Sequence, residues 1–184
     1  MSDITSLGAV AYQDIPVLET DRLRLRPYKI SDLEPMEAMW NDAEYVRYIG
    51  NRTRARPDLW KQIQAQIGSW AMLGFGYWVI ERLDGVFIGE AGFMEGLRAM
   101  QPDHIGTPEA GWGIAPAHWR QGYAAEAIGA MLAWRDVHLG GNRTVCIIEP
   151  THLVSIKLAQ RFGFHKAYTA RLGEEQIVVF ERTR

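Results

Sequence analysis

The chain has 184 residues, of which 47% are hydrophobic and 23% are charged, and its formal net charge is −2. This is the composition of an ordinary globular protein, and it excludes disordered, collagen-like and coiled-coil chains. A nearly neutral chain has no general basic field to hold nucleic acid, so any anion-binding site has to be local. The single cysteine, Cys146, excludes an internal disulfide bond and a cysteine-based zinc site, and the histidines show no paired spacing for a metal ion.

A chain of this length is expected to form one domain, since about 150 residues per domain is a fair prior. We place this domain at residues 17–184 and a flexible N-terminal arm at residues 1–16. The N-terminal residues lack the basic and apolar segments of a signal peptide, and no stretch is apolar for long enough to span a membrane. The sequence therefore predicts a cytoplasmic protein that contacts no membrane and holds no metal ion.

The first half of the domain predicts a strand, two helices and a hairpin. Polar and apolar residues alternate up to Pro27, as in a half-exposed strand, and later apolar residues recur at helical spacing. The Asp84-Gly85 pair between two strand-like segments is a hairpin signal. In chain order, we predict a strand over 18–26, a helix beginning at Ser31, a loop over 50–57, a helix over 58–73 and strands over 77–83 and 86–94.

The second half begins with a glycine-rich strand over 109–115, in which Gly111 and Gly113 indicate a bulge or the close approach of a ligand. The elements predicted after it are a helix over 121–138, a strand over 144–148, a helix from Pro150 to near Gly163 and strands over 167–172 and 176–182. This order of strands and helices predicts a single domain of the mixed α/β or α+β class.

The beginning of the helix near residue 121 is a candidate anion-binding site. The first N–H groups of a helix have no partners within the helix, and the helix dipole makes this end positive. Gly122, Ala124 and Ala125 are small enough to let an anion reach those groups, and Arg120 adds a positive charge. The bare segment is equally consistent with a helix that uses small residues to pack closely on a sheet.

Four segments carry a family resemblance: LETDRLRLRP at 18–27, IGEAGF at 88–93, EAGWGI at 109–114 with WRQGYAAEA at 119–127, and SIKLAQRFGF at 155–164. In this order they resemble signatures of the GNAT acetyltransferase superfamily, in its ribosomal-protein N-terminal (RimJ/RimL-like) branch. The resemblance implies a GNAT-like fold: a mostly antiparallel, twisted sheet of about seven strands, splayed between the fourth and fifth strands and flanked by about four helices.

The resemblance also implies a binding site for acetyl-CoA, the acyl donor, where the two strands part. The pantetheine arm would pair with the exposed backbone near Trp112, Gly113 and Ile114, and His152 and Ser155 would complete the site. The residues implied at the pyrophosphate are Trp119, Arg120, Gln121, Gly122, Tyr123, Ala124 and Ala125.

Acetyl transfer to an amine needs a group that removes the amine proton and one that stabilises the departing thiolate. Glu109 and His152 are candidate bases, and Ser155 is a candidate donor to the thiolate. Each has a structural alternative: a carboxylate at a strand end, a residue that opens a helix, and a hydroxyl bonded to its own helix backbone. Glu90 is also a carboxylate in a signature segment, and we interpret it as a buried or paired structural charge.

The sequence thus predicts an N-acetyltransferase that moves an acetyl group from acetyl-CoA directly to a primary amine in a ternary complex. The amine acceptor is a protein N-terminus or a small molecule, and the protein is a monomer or a homodimer. One alternative is a CoA-binding sensor without turnover, since Ala159 stands where many family members have a tyrosine acid. Another is a ribosome- or RNA-associated protein that uses the arginines at 52–56, which the net charge disfavours.

Overall fold

The computed structural model describes residues 14–98, 100, 102 and 104–184. These residues form eight strands: β1 (Leu18–Glu19), β2 (Leu23–Arg26), β3 (Tyr77–Arg82), β4 (Phe87–Met94), β5 (Glu109–Ile114), β6 (Arg143–Ile148), β7 (His165–Leu172) and β8 (Glu175–Thr183). They also form five α-helices: α1 (Leu33–Trp40), α2 (Ala43–Val46), α3 (Arg56–Leu73), α4 (Tyr123–His138) and α5 (Leu153–Arg161). Short 3₁₀ turns precede α1 and α4.

All eight strands belong to one sheet in the order β1-β2-β3-β4-β5-β6-β8-β7. Neighbouring strands are antiparallel except for β5 and β6, which are parallel and paired only at Glu109 and Val145. Beyond that pair the two strands separate and leave a cleft in the middle of the sheet. The predicted splayed, mostly antiparallel sheet is therefore confirmed.

The sheet has one strand more than predicted because the first predicted strand is divided. A turn after β1 is closed by a hydrogen bond from the Thr20 N–H to the Leu23 carbonyl, and the chain folds back so that β1 pairs with β2. The predicted splay between the fourth and fifth strands is thus the separation of β5 from β6.

Both faces of the sheet are covered by helices. On one face α4 packs Ala127, Ile128 and Met131 into the larger core, where the rings of three tryptophans meet edge to face. On the other face α1, α2 and α3 enclose a second core that includes Met36 and Leu59. No helix among the described residues combines the length and the apolar character needed to cross a lipid bilayer.

The structure has five helices where about four were predicted, because α2 is only one turn long. Asp42 caps it by accepting hydrogen bonds from the N–H groups of Glu44 and Tyr45. The next helix, α3, begins at Arg56 rather than at residue 58, since Pro57 is tolerated in a first turn where its missing N–H is not needed. The predicted loop over 50–57 is shorter by these two residues.

The beginning of the domain lies further towards the N-terminus than predicted. Ile15 is buried in the larger core, and the Pro16 carbonyl accepts a hydrogen bond from the indole N–H of Trp78 at 2.8 Å. These two residues therefore pack on the domain, Asp14 before them is exposed, and residues 1–13 of the predicted arm lie outside the described residues.

Helix α4 joins the two halves of the sheet that the cleft separates. It packs on strands of the first half, β1, β2, β4 and β5. Near its end Asp136 binds the Arg182 guanidinium of β8 through two hydrogen bonds of 2.8 and 2.6 Å. The buried Arg135 donates to the carbonyls of Gly141 and Arg143, which hold the beginning of β6.

Candidate active site

The main-chain N–H groups at the beginning of α4 face away from the protein's own acceptors. Residues 120–125, which we call the entry turn, contain Gly122 and Arg120 with φ angles of 83° and 60°. Within the described residues, nothing accepts a hydrogen bond from the main-chain N–H of any residue of the entry turn. The predicted anion site thus has its donors available.

Two of the predicted CoA-binding groups are already engaged. The Trp119 N–H donates to the Pro116 carbonyl at 3.1 Å within the preceding 3₁₀ turn. The Trp119 indole N–H donates to the Ile114 carbonyl, which is at the end of β5. The indole of Trp119 therefore fixes the link between β5 and the entry turn, and neither N–H group of Trp119 is available to a ligand in this arrangement.

Arg22, between β1 and β2, holds the entry turn from the other side. It donates to the Gln121 carbonyl at 3.0 Å and binds the Glu126 carboxylate at 2.6 Å, while its guanidinium lies 4.7 Å from the centre of the Tyr123 ring. Burial raises the pKa of Glu126, but hydrogen bonds from Thr20 and Arg22 outweigh this effect and lower it overall. Sequence reasoning missed this role because the two segments are about a hundred residues apart in the chain.

A cavity of about 450 Å³ lies beside the cleft, which is a volume typical of small-molecule sites. Its walls come from α1, α2, α3, the strands β3 to β8 and the beginning of α5. Three predicted site residues, Glu109, His152 and Ser155, all line it. The structure thus brings together the catalytic candidates that lie far apart in the sequence.

The glycines of β5 make room for two tyrosine hydroxyls. A Cβ atom at Gly111 would overlap with the Tyr77 hydroxyl, and one at Gly113 would overlap with the Tyr45 hydroxyl. Burial raises the pKa of both tyrosines, so both hydroxyls stay protonated at neutral pH. On this face of the strand, protein side chains occupy the space that the sequence assigned to a bulge or a ligand.

Glu109 is buried and paired with a cation. Arg98, in the segment after β4, donates to its two oxygens at 2.8 Å from Nε and 2.6 Å from Nη2. These hydrogen bonds raise the pKa of Arg98. Sequence reasoning missed the partner because the segment around Arg98 carries no motif.

Glu90 lies opposite Gly113 on the neighbouring strand and also lines the cavity. Only 3% of it is exposed. The Tyr28 hydroxyl donates to it at 2.8 Å, and the Gln62 amide donates at 3.3 Å. Burial raises the pKa of Glu90, and this effect outweighs the opposing influence of the Tyr28 hydrogen bond and of the positive Arg54.

His152 and Ser155 stand together at the beginning of α5. The Ser155 hydroxyl is 3.3 Å from Nε2 of His152, and the imidazole is stacked on the Tyr48 ring at 4.2 Å. Burial lowers the pKa of His152, so the ring is neutral at pH 7 and can accept or relay a proton. Tyr48 is a further site residue that no sequence motif indicated.

Comparisons with known proteins show the family and the fold of this chain. Residues 22–165 match the family described as "Acetyltransferase (GNAT) domain". The uncharacterized N-acetyltransferase YoaA of Bacillus subtilis is 32% identical over 157 residues, which cover 82% of this chain and 84% of YoaA. A GNAT-family acetyltransferase of Bordetella pertussis is 32% identical with a TM-score of 0.80, over 92% of this chain and 100% of that one.

The ribosomal L7/L12 α-N-protein acetyltransferase RimL, solved in complex with coenzyme A, shares the fold. Its TM-score is 0.74 at 14% identity, over 91% of this chain and 98% of that one. Together with the family match and the splayed sheet, these similarities identify the class of protein. The chain belongs to the GNAT family and is an acetyltransferase.

Proposed function

We propose that this acetyltransferase moves an acetyl group from acetyl-CoA directly to a primary amine that is bound in the cavity. The observation that carries the proposal is the geometry around the cleft. The entry turn offers unpartnered N–H groups on one side of the cleft, and the cavity offers carboxylates, a hydroxyl and an imidazole beside it. A single ligand with an anionic end and a reactive end could bind the N–H groups of the entry turn with the first and reach the side chains of the cavity with the second.

In this proposal the N–H groups of Arg120, Gln121, Gly122, Tyr123, Ala124 and Ala125 hold the pyrophosphate of CoA. Helix N-termini favour anions through their dipole and their free donors. The pantetheine arm lies along the edge of β5 at Trp112, Gly113 and Ile114, where the strand has no partner on the β6 side. RimL, which has the same fold, has been solved in complex with coenzyme A, and this supports CoA as the ligand.

The reaction we propose is direct attack of the amine on the thioester, with both substrates bound at once. Cys146 is the only cysteine, and burial raises its pKa, so its thiol is a poor nucleophile for a covalent intermediate. Ser155 would donate a hydrogen bond to the departing thiolate, with His152 relaying its proton. Glu109 and Arg98 would form a fixed pair of charges at the reacting end of the cavity.

Two acceptor classes fit the proposal. Similarity in fold to RimL supports a protein N-terminus and a RimJ/RimL-like assignment. The volume of the cavity supports a small-molecule amine. Both present a primary amine, and the proposed chemistry is the same for each, whether the protein is a monomer or a homodimer.

Calorimetric titration of the full chain with acetyl-CoA tests the donor, and thiol release with a panel of primary amines tests the reaction. We expect saturable binding with one acetyl-CoA per chain, and CoA release that depends on both protein and amine. If acetyl-CoA does not bind, the proposal is wrong. If acetyl-CoA binds and no amine releases CoA, the protein is a CoA-binding sensor instead.

A further inference from the structure

Two buried carboxylates line the cavity, but they differ in how their charge is balanced. Both oxygens of Glu109 accept hydrogen bonds from the Arg98 guanidinium. Glu90 accepts hydrogen bonds from the neutral Tyr28 and Gln62, and among the described residues no cation is within ion-pair distance of it. A buried carboxylate without a cation is costly and retains strong affinity for a positive group.

The polar groups around Glu90 are also incompletely paired. The indole N–H of Trp40 faces Glu90 but has no partner at hydrogen-bond distance in the described part of the chain. The hydroxyls of Tyr45 and Tyr77 line the same cavity, and neither is hydrogen-bonded to another described residue. All three side chains are at least nine-tenths buried; the Trp40 nitrogen is itself fully buried, and the two hydroxyls open only into the cavity. Buried polar groups normally have partners, and these point to a polar ligand.

We propose that Glu90 binds the protonated amine of the acceptor in the cavity and then takes its proton. This inference rests on the proposed function and adds the group that recognises the acceptor. The rings of Trp40, Tyr45 and Tyr77 line the same cavity, where aromatic faces attract a cation. Glu109 is a weaker candidate for binding the amine, because its carboxylate is already paired with Arg98. If it bound the amine instead, the half-buried guanidinium of Arg98 would lose its partner.

The proposed step is balanced in protons and electrons. The ammonium transfers one proton to the Glu90 carboxylate, and the nitrogen lone pair then forms a bond to the thioester carbonyl carbon. The carbon–sulfur bond breaks, and its electron pair leaves on the CoA sulfur. The proton lost from nitrogen as the amide forms neutralises this thiolate. Glu90 finally returns its proton to solvent.

The geometry places Glu90 near the expected site of the thioester. It is directly opposite Gly113 in the β4–β5 pairing, and Gly113 belongs to the strand edge proposed for pantetheine. The pantetheine would lie on the β6 side of β5, about two strand spacings or roughly 10 Å from the β4 backbone, and the Glu90 side chain together with a bound amine would span this distance. Proximity of this kind is the main requirement for direct transfer between two bound substrates.

Several titratable or charged groups face Glu90, and any pH dependence has to be interpreted with them. Tyr28 follows β2, Tyr45 is on α2, and Tyr77 is on β3; burial raises the pKa of all three. Arg54 precedes α3, and its guanidinium lies 3.9 Å from the centre of the Trp40 ring. Glu90 is thus the carboxyl group in this set, and burial raises its pKa above the ordinary value.

The first test is calorimetric binding of amines to the CoA-loaded full chain at pH 7, using n-butylamine, benzylamine and a short peptide with a free N-terminus. We expect at least one amine to bind saturably and Glu90→Gln to weaken it by about tenfold or more. Glu174→Gln, which removes the same charge at an exposed turn, should leave this affinity unchanged. If no probe binds the wild type more tightly than E90Q, the inference is overturned.

The size of the bound amine distinguishes its two sources. Preference for butylamine or benzylamine identifies a small-molecule acceptor, and preference for the peptide identifies a protein N-terminus. Either result supports the role of Glu90, provided that E90Q loses the higher affinity for the preferred amine.

The second test is the pH dependence of kcat/KM with whichever amine is acetylated. At pH 7, E90Q should lower kcat/KM by about 100-fold, as expected for loss of a general base. The defect should shrink towards pH 10, since an alkylammonium with a pKa of about 10.4 then loses its proton in solution. E90D, which keeps the carboxylate, should retain more activity than E90Q. An equal loss at every pH would overturn the proton-transfer role.

Folding and donor binding are controlled separately. The amide oxygen of E90Q can still accept from Tyr28, and the variant loses an unpaired buried charge, so we expect it to fold with a melting temperature no lower than that of the wild type and with unchanged acetyl-CoA affinity. Full amine binding and acetylation by E90Q would overturn this inference and leave the proposed function intact. Loss of acetyl-CoA binding by the wild type would instead contradict the proposed function itself.

Discussion

The glycines of β5 show how a single missing side chain shapes the cavity. Gly111 and Gly113 are needed because the Tyr77 and Tyr45 hydroxyls lie against the backbone of the strand. Neither tyrosine can move far, since both belong to the packed core on that face of the sheet. Each tyrosine hydroxyl can therefore occupy its position in the cavity only because the opposing residue of β5 has no Cβ atom.

We predict that Gly111→Ala destabilises the protein by about 1–3 kcal/mol, the usual cost of forcing an extra carbon into a packed core. The free energy of unfolding, measured by urea titration, checks this. Adding Tyr77→Phe removes the overlapping oxygen and should recover a large part of the loss. Gly68→Ala is the matched control, because nothing lies within 4 Å of its Cβ position in α3 and alanine favours a helix. Equal stability of G111A and the wild type would contradict the prediction.

Sequence reasoning found the glycines but not the tyrosine hydroxyls that lie against them. A glycine pattern shows that something approaches the backbone, and only the packing of α2 and β3 reveals that it is a tyrosine hydroxyl. The same limit applies to Glu109 and Glu90. Both carboxylates were recognised from their segments, but the Arg98 partner of one and the neutral partners of the other are long-range contacts.

At the scale of elements, the entry turn depends on the β1–β2 turn. Arg22 and Thr20 both bind Glu126 in the first turn of α4, and Arg22 also holds the Gln121 carbonyl. Because Arg22 occupies the Gln121 carbonyl, the main-chain groups that the entry turn leaves free for an anion are its N–H groups. Arg22 thus positions the entry turn and adds a positive charge to it.

We predict that Arg22→Ala weakens acetyl-CoA binding by about threefold to tenfold, the effect of one partly exposed charge at a helix N-terminus. Competition calorimetry should show no change for S-acetylpantetheine, which lacks the pyrophosphate. Arg24→Ala is the control, since Arg24 pairs with Glu19 and Glu81 and does not contact the entry turn. An equal loss for both ligands would show that Arg22 acts only through folding.

Long elements were predictable from the sequence, whereas short ones were not. The strands of the hairpin and helix α4 agree with the hydrophobic periodicity and the turn signals. Helix α2 has four residues, too few for a periodic pattern, and it is fixed by the Asp42 cap and by packing of Tyr45. The division of the first strand depends on the Thr20 turn, which leaves no separate signal in an alternating segment.

At the scale of the whole molecule, the sheet is divided into two halves that share one residue pair, Glu109 and Val145. Helix α4 connects the two halves further, because its apolar side packs on the strands of the first half and charged residues near its C-terminus bind the second half. The Asp136–Arg182 ion pair links the end of this helix to β8, in the second half. The spacing of the halves, and so the width of the cleft, depends on contacts outside the sheet.

We predict that Asp136→Asn lowers the free energy of unfolding by about 1 kcal/mol at pH 7. Hydrogen bonds from Arg182 hold the pKa of Asp136 below its ordinary value of 3.8. The ion pair therefore contributes fully above that value, and its contribution is lost as the pH falls through the lower pKa of the folded state. The difference between wild type and D136N should be constant from about pH 5 to 8 and shrink below about pH 4.

Urea titrations at these pH values check the prediction, with Asp21→Asn at an exposed turn as the control. A difference that is independent of pH down to pH 2 would show that the effect comes from side-chain shape rather than from charge.

The separation of β5 from β6 has a consequence for solubility. Exposed strand edges ordinarily invite another polypeptide to add itself to a sheet and so promote aggregation. Here two such edges lie in the interior of an eight-stranded sheet and face each other across a gap. A narrow ligand that carries amide groups can enter this gap. An additional β-strand is blocked, because its side chains would collide with the helices that cover the two faces of the sheet. The main-chain N–H and C=O groups along this gap can therefore stay unpaired, and so open to a ligand, without promoting aggregation.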